Sequence, residues 1–125
     1  MGDILYKSEA YQIIGICMTM YNTLGYGFLE VVYKDAMEIE FQERFLHYKQ
    51  EHQLQIHYEG NILKHTFFAD FTVKNEIIVE VNANKYGIIP EAVAKTLNYL
   101  KASGIKLALI INFGKTSLEY KRLLY

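Results

Sequence analysis

Tryptophan is absent from this 125-residue chain, and cysteine occurs once, at Cys17. A lone cysteine excludes a disulfide framework and a cysteine-based zinc site. Set in an apolar run, Cys17 reads as a small buried hydrophobe. The four histidines (His47, His52, His57, His65) show no metal-ligand spacing, although His57 and His65 are placed to meet across a hairpin as a structural contact. Proline occurs once, at Pro90, and there is no linker, repeat or low-complexity stretch. No glycine-rich phosphate loop and no Gly-x-Ser-x-Gly elbow occurs, which removes the usual signatures of nucleotide-binding loops and α/β-hydrolase chemistry. An excess of one charge is also missing: thirteen basic and fourteen acidic residues give a net charge of −1. That balance argues against nonspecific coating of nucleic acid but permits a local basic groove. No apolar run approaches the length of a membrane span, and no basic-then-apolar leader opens the chain. A cytoplasmic protein with no membrane association is the expectation.

What the chain does contain is a globular mixture, with 51% hydrophobic and 22% charged residues. That suffices for one domain with a real core, expected to span residues 1–125. Apolar residues at helical spacing (Ile13, Ile14, Cys17, Met20, Tyr21, Leu24) predict a helix over residues 8–24, with Ser8 as its cap. Gly25-Tyr26-Gly27 breaks it, and a second helix is expected over 28–45. Strands follow at 53–58 and 62–73, joined by a two-residue turn at Gly60-Asn61. A further strand reaches Asn82, a loop runs to Pro90, and a helix over 91–102 ends at Ser103-Gly104. The apolar run at 106–112 reads as a strand buried on both faces, and 118–124 as a closing edge strand. The order α-α-β-β-β-α-β-β predicts an α/β domain of the α+β kind, built on one mixed sheet.

The chemistry concentrates in residues 69–82. A hairpin centred on Asn75 sets Asp70 opposite Glu80. Strand alternation then places Asp70, Thr72, Ile78, Glu80 and Asn82 on one face, and Phe71, Val73, Val79 and Val81 on the other. Facing carboxylates repel, and burying them unpaired is costly, so the pair calls for a cation. Oxygen ligands of this kind suit Mg²⁺ or Mn²⁺. Glu30 opens the second helix, where a carboxylate also complements the helix dipole, and Tyr33 lies one turn on, on the same face. Lys95 and Tyr99 sit four apart on the later helix, off its Val93, Leu97, Leu100 stripe.

Gly27-x-x-Glu30-x-x-Tyr33 resembles the motif that names the GxxExxY proteins, a group of small bacterial and archaeal proteins assigned to the PD-(D/E)XK nuclease superfamily. The resemblance extends over nearly the whole chain. It takes in the Asp70…Glu80 hairpin, Asn98-Tyr99-Leu100-Lys101-Ala102, Leu109-Ile110-Ile111-Asn112-Phe113-Gly114 and Lys121-Arg122. It implies a nuclease-like core, with Asp70, Glu80 and Glu30 as Mg²⁺ (or Mn²⁺) ligands in metal-assisted phosphodiester hydrolysis. It also implies a lysine two residues after the glutamate and a Gln-x-x-x-Tyr on the later helix. Here Asn82 stands at the lysine position and Lys95 at the glutamine position, in Lys95-x-x-x-Tyr99. Asparagine bonds a water but carries no charge. The expectation is that Lys95 supplies the missing ammonium, with Asn82 and Tyr99 assisting and Lys85 as a weaker substitute. The rival reading is a catalytically silent domain of the same fold that binds nucleic acid or a protein, with Lys74, Lys121 and Arg122 as phosphate contacts. A third is a structural subunit that self-associates through its eleven tyrosines. So short a chain also leaves room for a homodimer or a protein partner.

Overall fold

A computed structural model describes residues 6–125. Its elements are α1 (Lys7–Leu24), α2 (Glu30–Glu43), β1 (Tyr48–Tyr58), β2 (Asn61–Val73), β3 (Ile77–Asn82), α3 (Pro90–Ser103), β4 (Leu107–Asn112) and β5 (Glu119–Leu124). The expected order holds, and the strands form one mixed sheet in the order β1-β2-β3-β4-β5. Only β3 and β4 run parallel, as the α3 crossover between them requires. Helices α1 and α2 cover one face of the sheet through Ile13, Cys17, Met20, Tyr33, Met37 and Phe41. The other face packs on α3 through Ile78, Ala108, Ile110, Tyr99 and Leu100. All six residues of β4 are buried, as its unbroken apolar run predicts, and so is Cys17.

Several local expectations need correction. Ser8 is not a cap: Tyr6 occupies that position, and no side chain bonds the first turn. Strand β1 begins at Tyr48, because Tyr48, Gln50 and His52 pair with the long β2 despite their polar character. The hairpin turn is Glu59-Gly60, one residue earlier than expected, since Tyr58 pairs with Asn61. Both turn residues have positive φ (48° and 81°), the geometry that matches strand twist. A register shift after Gln55 sets His57 opposite Ile62, so His57 does not pair with His65, whose ring meets Phe67 instead. On α3 the buried stripe is Thr96, Tyr99 and Leu100, while Leu97 is exposed.

The second hairpin is centred on Asn75, as expected, with Val73 opposite Ile77. Its ladder is short and stops at Phe71↔Val79. Beyond that point β2 stays with β1, while β3 continues beside β4 to Asn82↔Asn112. The sheet therefore forks at Asp70 and Glu80. Phe67 and Ala69 pack on the α3 side, whereas Phe71 and Val73 pack on the α1/α2 side. The alternation expected over 70–82 holds, with Phe71, Val73, Val79 and Val81 on one face and Ile78 on the other, whereas β2 before Asp70 is turned the opposite way. Glu51, opposite Asp70 on β1, has a left-handed backbone with φ 50°.

Candidate active site

The fork leaves backbone groups without ladder partners, and the two carboxylates supply them. Asp70 N–H donates to Glu80 Oε2 at 2.7 Å, and Val81 N–H donates to Asp70 Oδ2 at 2.8 Å. Each acid thus closes the gap with one oxygen and keeps the other for a cation. Lys34 of α2 reaches Asp70 Oδ1 at 2.9 Å and Glu51 Oε1 at 3.5 Å. Lys95 of α3 lies 3.7 Å from Glu80 Oε1. The acidic pair is therefore approached by one ammonium from each face of the sheet.

Charge and burial act together on these groups. Burial first, and then the charge of Asp70, push the Glu80 carboxyl well above the usual carboxylate range. The Asp70 amide, Lys95 and Lys34 pull it part of the way back. For Lys34, burial lowers the pKa, but its contacts with Asp70 and Glu51 outweigh that and leave it raised. Tyr99 is pushed up to about 12 by burial and by the neighbouring Glu80. Its ring packs 5.5 Å from Phe67 and lies under Lys95 Nζ at 5.9 Å.

Glu30, Asn82 and Lys95 line one cleft of about 230 Å³, together with Asn84, Ile89, Glu91 and Ala92. Asp70 is not on its wall, and the fork turns it toward Lys34. Among the described residues, no three His, Cys, Asp or Glu side chains converge as a set able to hold an ion. Glu30 thus faces the cleft without closing a trio with Asp70 and Glu80. Lys85 lines a different hollow with Gly27 and Glu30, and its ammonium lies over Tyr86.

Tyr33 lies in the core and not in the cleft. Its hydroxyl donates to Gly25 O at 2.7 Å and accepts from Phe28 N–H at 3.3 Å. Its ring stacks on Phe113 at 4.3 Å. The intervening turn needs Gly27, whose φ of 105° is closed to ordinary side chains. Gly27 and Tyr33 together fix where α2 begins, and hence where Glu30 stands.

Comparison with known proteins adds a family. The family model described as the PD-(D/E)XK nuclease superfamily matches residues 7–123. The chain belongs to the PD-(D/E)XK nuclease superfamily. A crystal structure of SSO0001 is similar in fold, with a TM-score of 0.59 at 15% identity. That likeness covers 97% of this chain and 61% of the SSO0001 chain, so this chain spans less than two thirds of it. No curated protein matches the sequence.

Nucleases of this superfamily generally use divalent metals. At the fork the donor chemistry is of the kind such an ion takes, two carboxylates with no third joining them among the described residues. Asp70 Oδ1 and Glu80 Oε1 are hard oxygens not engaged by backbone N–H groups, and both already face positive charge. Sequence reasoning found Asp70, Glu80 and Lys95 but passed over Lys34 and Glu51. The one hint was spacing, since Lys34 lies one turn after Glu30; nothing in the sequence separated it from an ordinary solvated lysine.

Proposed function

We propose that this protein is a metal-dependent hydrolase of nucleic-acid phosphodiesters within the PD-(D/E)XK superfamily, of the GxxExxY group. The observation that carries the reading is the forked hairpin, where Glu80, which is buried, and Asp70, which is largely so, each accept one backbone N–H and each keep one oxygen for a cation. Asp70 and Glu80 hold Mg²⁺ or Mn²⁺, and Glu30 adds negative charge across the cleft. The metal supplies two things when bound: a lowered pKa for a water and neutralisation of charge on the phosphate oxygens. Lys95, 3.7 Å from Glu80 and half-exposed on the cleft wall, is the group that meets a phosphate oxygen in place of the strand lysine. Asn82, on the same wall, offers an amide to bond the attacking water. Tyr99 holds the Lys95 ammonium over its ring.

The decisive assay is cleavage of mixed DNA and RNA with Mg²⁺ or Mn²⁺ by the wild type, Glu80→Ala and Lys95→Ala. Glu80→Ala is expected to abolish activity, and Lys95→Ala to lower it by about 10²-fold, the scale of losing one charge-stabilising donor. Activity that survives Glu80→Ala belongs to a contaminant and ends the proposal. Asn82 at the lysine position favours a second reading, a silent nuclease-fold domain that binds nucleic acid or a protein partner. That reading predicts retention of labelled nucleic acid without cleavage at any metal concentration.

A further inference from the structure

Lys34 is held more firmly than Lys95. Its side chain is 19% exposed against 53% for Lys95, and it touches Asp70 at 2.9 Å. Asp70 Oδ2 already accepts the Val81 N–H, so Oδ1 is the oxygen left for a metal, and the Lys34 ammonium sits on it. An ammonium and a divalent ion cannot share one oxygen at contact without strong repulsion. Lys34 has somewhere else to go. Glu51 Oε1 lies 3.5 Å from the same nitrogen, on a residue whose left-handed backbone is uncommon outside glycine. Glu51 is 55% exposed and has no other ion-pair partner among the described residues, so it can accept the ammonium alone. Lys95 has no such second carboxylate among the described residues.

We propose that Lys34 is a positioning residue with two resting places. It lies on Asp70 while the acidic pair is metal-free, and on Glu51 when a divalent cation takes Asp70 Oδ1. The inference rests on the metal-dependent reading above and adds a residue that sets how tightly the metal is held. Lys34 occupies the site in the ion's absence, which keeps the largely buried Asp70 from being an unpaired charge. Each metal-binding event must first displace it.

The test is calorimetric titration with Mn²⁺ alone, without nucleic acid, on the wild type, Lys34→Gln, Lys34→Met, Glu51→Gln and the Lys34→Gln/Glu51→Gln double variant. Loss of the competitor is expected to tighten Mn²⁺ binding about tenfold, and loss of its alternative seat to weaken it about tenfold, the scale of coupling between charges in contact. The double variant is expected to match Lys34→Gln, because Glu51 acts only through Lys34. Lys34→Arg, which keeps the charge, is expected to bind near the wild-type affinity. Circular dichroism confirms that each variant is folded. Wild-type Mn²⁺ affinity unchanged or reduced in both Lys34 variants overturns the proposal and leaves the hydrolase reading intact. A double variant weaker than Lys34→Gln by the full Glu51→Gln factor also overturns it, since the charges then act independently. Mn²⁺ that binds none of the proteins overturns the inference and the hydrolase reading together.

Discussion

The Tyr33 hydroxyl joins two backbone segments that have no ladder of their own, the carbonyl of Gly25 and the amide of Phe28. It does so from inside the core, where a lost hydrogen bond is not replaced by water. Tyr33→Phe keeps the stack on Phe113 and removes only these bonds, so a loss of about 1–2 kcal/mol is expected from denaturant midpoints. If the turn matters only for stability, metal binding stays unchanged; a shift in Mn²⁺ affinity shows that α2 placement reaches the cleft. From sequence, Tyr33 looked like a companion of Glu30 because it lies one turn on. Its burial comes from Phe113, eighty residues further along, a contact that no local spacing reveals.

Among the elements, the end of β4 depends on Asn112, which is fully buried and fully bonded. Its Oδ1 accepts the amides of Asn84 and Gly114, and its Nδ2 donates to Asn84 O and Glu119 Oε1. The loop after β3, which borders the cleft, is thereby tied to β4 and β5. Asn112→Leu leaves several buried polar groups without partners and is expected to cost roughly 3 kcal/mol or more, read from thermal and urea unfolding. Gly114→Ala drives a Cβ into the Asn84 backbone and is expected to destabilise comparably. The sequence showed Asn112-Phe113-Gly114 as a motif without its reason. The reason is the loop at Asn84, which it locks in place.

Over the whole molecule, one histidine in the β1–β2 hairpin makes stability depend on pH. His52 Nδ1 lies 2.9 Å from Thr72 Oγ1, and burial, then Lys49, hold its pKa below 6.5. The folded state therefore keeps His52 neutral while the unfolded chain takes up a proton. By linkage, this histidine adds stability as pH rises through the interval from its lowered pKa to about 6.5, and nothing further above it. His52→Gln is expected to remove that slope. Across this range the wild-type urea midpoint should rise relative to that of the variant, and parallel curves would disprove it. Other titrating groups, Glu80 included, cancel in the difference.

The element order, the doubly buried β4, the centre of the Asp70–Glu80 hairpin and the superfamily were all legible in the amino-acid sequence. These are local properties: periodicity of apolar residues, turn chemistry and motif spacing determine them. Tertiary structure alone decided the fork of the sheet, the change of face at Asp70, and the pairing of Asp70 with Lys34 and Glu51. Those depend on where β2 stops pairing with β3 and on which helix lies over the gap. Charges from α2 and β1 meet there only after the chain has packed, because a salt bridge between distant residues leaves no periodic trace in the sequence.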